Sequence, residues 1–197
     1  MSLTAALLMG GRSTRMGRDK ALVEFAGQPL WWVQWQKLRV LAPAQLLLSA
    51  RPGQDVPVPP PPAQVVRDAF GDIGPLGAVL SCLDYVQLAG PGAMVLVLAT
   101  DLPRVPTAFL QEVAFHAEPG CGAVVRHAGR FEPLAAVYPA EMLDLGRRRV
   151  RLGRLALQGF VEAGVEGNLM QEMPASEWPN EIFANLNTPA DLARLSP

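Results

Sequence analysis

The sequence predicts an α/β protein of three α/β/α layers, with a mainly parallel sheet between helices. Three observations carry that prediction. Apolar runs without polar alternation recur at residues 3–8, 45–49 and 93–99, as strands covered on both faces require. Segments with helical spacing or helix-start signals separate them. A glycine pair and two aspartates, Asp68 and Asp101, fall directly after strand candidates, where open parallel sheets collect ligands.

The first strand leads into Met9-Gly10-Gly11-Arg12-Ser13-Thr14-Arg15-Met16-Gly17-Arg18-Asp19-Lys20. Glycines after a strand let the backbone approach a ligand, and N–H groups there can bind anionic oxygens. Three arginines and a lysine follow in the loop, adding the forked and point-charge contacts that a polyphosphate takes. This is not a Walker loop, which needs Gly-Lys before Ser or Thr, nor a Gly-x-Gly-x-x-Gly fingerprint. Of 17 basic residues only Lys20 and Lys37 are lysines. A chain that otherwise uses arginine has a chemical reason to keep a compact ammonium in this loop.

Residues 21–25 read as an extended piece closed by a turn at Ala26-Gly27-Gln28. Pro29 then opens a helix that runs to residue 41. Trp31, Trp35 and Leu38 share one helical face with Trp32 beside them, a spacing that favours core packing over base stacking. Pro43 ends the helix. Within residues 51–62, Val56-Pro57-Val58-Pro59-Pro60-Pro61-Pro62 is a stiff surface connection that cannot pair centrally in a sheet.

Residues 64–68 resume as a strand, and a helix opens at Pro75 and runs to about residue 88. The next strand, 93–99, is the most buried of all and ends in Thr100-Asp101-Leu102-Pro103. A helix over 106–116, strands at 123–126 and 133–138, and a helix over 141–160 broken near Gly146 or Gly153 follow. A short strand is expected at 181–184. Asn187-Thr188-Pro189-Ala190-Asp191 starts the last helix, with Thr188 as N-cap, Pro189 at the first position and Asp191 at the third. With no internal repeat or linker, residues 1–197 read as one domain.

Half the residues are apolar, enough for a core without staples, and the net charge is −1. That balance argues against a general binder of nucleic acid or membrane surfaces, so any anion site must be a local cluster. Cys82 and Cys121 lack metal spacing, which speaks against a disulfide framework or structural zinc. No basic segment precedes the first apolar run, and no run reaches the ~18 residues of a membrane span. A cytoplasmic protein is expected. Asp101, fixed at the end of the most buried strand, is well placed to hold Mg2+, which takes oxygen ligands and shares them with substrate phosphates.

The opening loop resembles the Leu-Ala-Gly-Gly-x-Ser-x-Arg-Met-Gly-x-Asp-Lys signature of nucleotidyltransferases related to sugar-nucleotide synthases. Its ending, Arg15-Met16-Gly17-Arg18-Asp19-Lys20-Ala21-Leu22, is most similar to that of the molybdenum cofactor guanylyltransferases. Further segments match in order: Val66-Arg67-Asp68 before Gly74-Pro75-Leu76-Gly77, and Ala99-Thr100-Asp101-Leu102-Pro103. Gly129-Arg130-Phe131-Glu132-Pro133-Leu134 with Ala136-Val137-Tyr138, and Phe183-Ala184-Asn185-Leu186-Asn187-Thr188-Pro189, complete the set. Singly each is weak; the ordered set spans nearly the whole chain and is specific.

The resemblance implies a Rossmann-like nucleotidyltransferase fold and transfer of GMP from GTP to the phosphate of molybdenum-bearing molybdopterin. Leu8, Met9 and Gly10 would meet guanine through backbone groups, with Gly11 beside them in the nucleotide loop. Lys20 would contact the α-phosphate and Arg15 would lie along the triphosphate. Asp68 would belong to the nucleotide pocket, Asp101 would bind nucleotide and Mg2+, and Asn185 and Asn187 would face the pterin. GTP and the pterin are the implied partners, with room for cofactor-delivery proteins.

Two positions depart from the family: Met9 stands where Ala is usual, and Ser49, a candidate nucleotide contact, where Asn is common. Arg147-Arg148-Arg149-Val150-Arg151 is either a solvated helix face or a basic segment for the substrate's phosphate or a partner. The rival readings are a cytidylyltransferase or sugar-1-phosphate nucleotidylyltransferase on the same fold, and a non-catalytic nucleotide-binding adaptor.

Overall fold

The structure, a computed structural model, describes residues 3–9, 20–173 and 178–195. Strand β1 is Leu3–Leu8. After a 3-10 turn at Lys20–Leu22, β2 (Glu24–Phe25) and β3 (Gln28–Pro29) form a hairpin before helix α1 (Leu30–Val40). Ala26 and Gly27 both have positive φ there, the left-handed pair a two-residue hairpin turn requires. Then come β4 (Gln45–Ala50), β5 (Ala63–Arg67), α2 (Pro75–Val86), β6 (Met94–Ala99) and α3 (Thr107–His116). Next are β7 (Gly122–Val124), the hairpin β8 (Arg126–His127) and β9 (Arg130–Phe131), and β10 (Ala135–Pro139). The chain closes with α4 (Met142–Arg151), α5 (Leu157–Glu166), β11 (Met170–Glu172) and α6 (Pro189–Leu195).

Seven strands form one sheet in the order β11-β7-β10-β6-β1-β4-β5. All its pairs are parallel except those of β10, which runs antiparallel to β6 and β7. Along β6 the side chains alternate between two cores. Met94, Leu96 and Leu98 pack with Trp31 and Trp35 of α1 and Phe109 of α3. Val95 and Val97 pack with Leu80 of α2, Met142 of α4 and Phe160 of α5. A sheet buried on both faces explains why its central strands read as unbroken apolar runs.

The tryptophan face of α1 is core: Trp35 and Leu38 are fully buried, and Trp31 makes an edge contact with Trp32. Pro29 caps this helix instead of opening it, because its ψ of 135° is extended. The long helix of 141–160 breaks at Gly153, whose φ of 67° suits glycine. Gly146 instead lies inside α4, where its missing side chain admits Leu80. Residues 181–184, expected as a strand, instead lie at a 3-10 helix, Asn180–Phe183, that Pro179 leads into. Strand β11 is short and two-thirds polar, which hid it in the sequence. The α6 start follows its capping box. Asp191 N–H donates to Thr188 Oγ1 at 3.1 Å, and Asp191 Oδ2 accepts from Thr188 N at 2.9 Å. Both cysteines are free, and no described helix is long and apolar enough to cross a membrane.

Candidate active site

Parallel strands β1, β4, β5 and β6 end on one edge of the sheet, and a cavity of about 630 Å3 opens there. Met9, Arg51, Asp68 and Asp101, each just past a different strand, line it together with Lys20. Of the three polar sites expected at these strand ends, Asp68 and Asp101 share the cavity, and the Gly10-Gly11 pair lies outside the described residues.

The Asp101 turn is held from three sides. Thr100 donates through N and Oγ1 to the Leu8 carbonyl, at 3.2 and 2.8 Å, tying the turn to β1. From α1, the fully buried Gln34 donates to the carbonyls of Ala99 and Leu102 at 3.0 and 2.8 Å. Lys37 Nζ donates to Gln34 Oε1 and to the Pro103 carbonyl, at 2.7 and 2.6 Å. Burial pushes the Lys37 ammonium down to about 8. From the C-terminal side, Leu186 N–H donates to the Asp101 carbonyl at 2.9 Å.

That last bond sets Asn187 beside Asp101, and Lys20 joins the two. Lys20 Nζ lies 3.3 Å from Asp101 Oδ2 and donates to Asn187 Oδ1 at 2.7 Å. The Lys20 and Asp101 side chains are 17% and 25% exposed, so the pair is sheltered yet reachable. Among the described residues no group of three or more His, Cys, Asp or Glu could hold a metal ion. The Asp101 carboxylate lines the cavity and has Oδ1 besides the Oδ2 that faces Lys20, an oxygen donor of the kind Mg2+ takes while completing its shell with substrate phosphates and water.

Asp68 stands at the other side of the cavity, 9% exposed. Its Oδ1 accepts from Phe70 N at 3.0 Å and Ser81 Oγ at 3.1 Å. A Cβ on Gly77 would come within 2.7 Å of Oδ2. That close approach gives a physical reason for the glycine in Gly74-Pro75-Leu76-Gly77.

The remaining sequence candidates fall in different places. Leu8 and Met9 line the cavity, but their backbone groups are already engaged: Leu8 O takes both Thr100 bonds, and Met9 N donates to Ser49 O at 2.9 Å. Met9 O accepts one long bond, 3.4 Å from Gln54 Nε2, and keeps a lone pair. Ser49 is 1% exposed and is not among the cavity-lining residues. Its hydroxyl lies by Cys82, whose thiol burial pushes up to about 12. Asn185 is exposed on the segment that carries Asn187. Gly10, Gly11 and Arg15 lie outside the described residues.

The Gly129–Leu134 motif builds the cavity from behind. Leu134 lines it, and its carbonyl accepts from Ala99 N at 2.9 Å. Tyr138 O–H donates to the Pro133 carbonyl at 2.6 Å. Of the basic run, Arg147 pairs with Asp84 of α2 at 2.6 Å, a helix-to-helix contact, and no residue of 147–151 lines the cavity. Sequence reasoning missed Gln34 and Arg51, and named Thr100 only as part of the Ala99-Thr100-Asp101-Leu102-Pro103 segment, with no role. Arg51 left a trace, as a charge directly after a buried strand.

Solved structures share this fold. Molybdopterin-guanine dinucleotide biosynthesis protein A from Archaeoglobus fulgidus gives a TM-score of 0.68 at 20% identity, over 97% of this chain and 95% of that one. The 2-C-methyl-D-erythritol 4-phosphate cytidylyltransferase from Thermus thermophilus gives 0.64 at 18%, over 96% and 95%. The fold is that of the nucleotidyltransferases. Residues 5–162 match the MobA-like NTP transferase domain, and the chain belongs to that family. A protein named "Probable molybdenum cofactor guanylyltransferase" from Opitutus terrae is 37% identical over 193 residues, 98% of this chain and 94% of that protein. One of the same name from Carboxydothermus hydrogenoformans is 28% identical over 195 residues, 98% and 95% of the two chains.

Proposed function

We propose that this nucleotidyltransferase transfers GMP from GTP to the terminal phosphate of molybdenum-bearing molybdopterin. The observation that carries this reading is the Lys20–Asp101 pair lining the cavity, with Lys20 also bonded to Asn187. In the reaction a phosphate oxygen of the pterin attacks the α-phosphorus of GTP in line. A new P–O bond forms, the bond from the α-phosphorus to the bridging oxygen breaks, and pyrophosphate leaves. No protein nucleophile is required.

Lys20 would place its ammonium on the α-phosphate, where negative charge concentrates as the bond to pyrophosphate breaks. Asp101 would hold Mg2+ with the substrate phosphates; the ion, when bound, neutralises their charge. Asn187, bonded to Lys20, would orient the pterin phosphate towards the same atom, so that positioning supplies much of the rate. Lys20 and Asp101 together weigh against a pure binding module, which has no need of a cation and a carboxylate at one phosphate.

Thermal unfolding with GTP, CTP, ATP and UTP, each with and without Mg2+, tests the reading. A ligand at a hundredfold excess over its dissociation constant stabilises by roughly 2.7 kcal/mol. GTP with Mg2+ is expected to give the largest rise. A larger rise with CTP or UTP would move the chain to another branch of the fold.

A further inference from the structure

Arg51 stands at the part of the cavity away from Lys20. It follows β4 directly and lines the cavity beside Met9 and Pro52. Strands β6 and β4 flank β1, so the ends that carry Asp101 and Arg51 are two strands apart. At about 4.8 Å per strand this is roughly 10 Å, far enough to separate a phosphate end from a base end.

The backbone of Arg51 is fixed on both sides. Its N–H donates to Gln54 Oε1 at 3.1 Å, and its carbonyl accepts from Gln54 N at 3.2 Å and Arg67 Nη1 at 3.1 Å. Arg67 Nη1 also donates to the Gln54 carbonyl at 2.6 Å, and Gln54 Nε2 reaches Met9 O. One arginine thus spends donors on the turn that presents the other. The Nε–H of Arg51 is buried without a hydrogen-bond partner among the described residues.

We infer that Arg51 selects the base, by facing the O6 and N7 acceptors of guanine. A guanidinium fork matches that pair of acceptors. Adenine puts an amino donor where guanine has O6, and cytosine presents an amino group at N4, so each sets N–H against N–H. Uracil has an O4 acceptor but no N7 beside it. Phosphate binding is served at the other end, by Lys20 with Asp101. This assignment rests on the guanylyl reading above and names the residue that would enforce it.

Isothermal titration of the intact chain with GTP, ITP, ATP and 7-deaza-GTP tests it. ITP keeps O6 and N7, whereas 7-deaza-GTP lacks N7. Wild type is expected to prefer GTP and ITP over ATP. In Arg51→Ala the affinities for GTP and ITP should fall roughly ten- to a hundredfold, the range for losing one bidentate base contact, while ATP stays nearly constant. The penalty for 7-deaza-GTP seen in wild type should vanish. Arg51→Gln, a second variant should alanine impair folding, offers the donor and acceptor that pair with adenine and should narrow or reverse the preference. A GTP preference that survives unchanged in a folded variant overturns the assignment, as does an equal loss for all four nucleotides. A wild type that prefers another base, or none, overturns the guanylyl reading itself, and is told apart because it appears before any substitution.

Discussion

Lys20 and Asn187 are 167 residues apart in the chain and 2.7 Å apart in space, with Nζ donating to Oδ1. The contact joins the end of the opening loop to the segment before α6. Leu186 makes it possible, because its buried side chain and its bond to the Asp101 carbonyl fix the backbone next to Asn187.

Asn187→Ala should therefore act on turnover more than on nucleotide binding. A hydrogen bond to a charged group contributes about 1.5–3 kcal/mol, so kcat is expected to fall roughly tenfold or more with GTP affinity little changed. Steady-state kinetics beside GTP titration check this. A loss of GTP affinity with kcat unchanged would mean that Asn187 serves the nucleotide alone.

Gly77→Ala should disturb Asp68 without unfolding the domain. The new Cβ would sit 2.7 Å from Oδ2 and displace the carboxylate from Phe70 N and Ser81 Oγ. Overpacking of this kind costs about 1–3 kcal/mol. Ser81→Ala removes one of those bonds without any push, and should weaken GTP binding less. Titration of both variants decides whether steric displacement is the cause.

Gly146→Ala should destabilise the domain by about 1–3 kcal/mol, because its Cβ would meet Leu80 Cδ2 across the contact of α4 and α2. The pair Gly146→Ala with Leu80→Val should recover part of that loss. Chemical denaturation of the single and double variants measures the coupling.

Lys37 gives a pH signature. Its ammonium falls from an ordinary 10.5 to about 8 in the folded chain. Between those values the unfolded chain holds a proton that the folded chain has released, so stability rises with pH across the window. Burial raises the Tyr138 phenol, which opposes the trend once free tyrosine ionises near pH ~10. Burial also raises the Cys82 thiol to about 12, so ionisation of the free thiol near pH ~8.5 opposes the gain from that point on. The Lys37 contribution is therefore read as the difference between wild type and Lys37→Met, which should grow by at most about 1.4 kcal/mol per pH unit between about pH 8 and about pH 9.5. A difference that stays flat across that window would remove Lys37 as the source.

Much of this architecture was legible because burial writes itself into sequence. The unbroken apolar run of β6 and the tryptophan face of α1 needed only periodicity, and Thr188-Pro189-Ala190-Asp191 announced its own cap. Strand direction was not legible: Ala135–Pro139 reads like β6 but runs against it, since a pattern of burial carries no polarity. Asp68, Asp101 and Lys20 could be named from strand ends and loop chemistry. Gln34 could not, because a glutamine inside an apolar helix face gives no sign that it will bond two carbonyls of a distant turn. Ser49 shows the converse: the family resemblance suggested a nucleotide contact there, but the residue lies inside β4 and its hydroxyl falls by Cys82 of α2.

Pyrophosphate release from GTP, with molybdenum-bearing molybdopterin as acceptor and Mg2+ present, compared between wild type and Lys20→Ala, tests the central claim most directly. Wild type should release pyrophosphate only when GTP and the acceptor are both supplied, and Lys20→Ala should slow it by roughly 10²–10³-fold, the scale of losing a group aimed at developing charge. Release at the wild-type rate from a folded Lys20→Ala variant, or release indifferent to the acceptor, would contradict it.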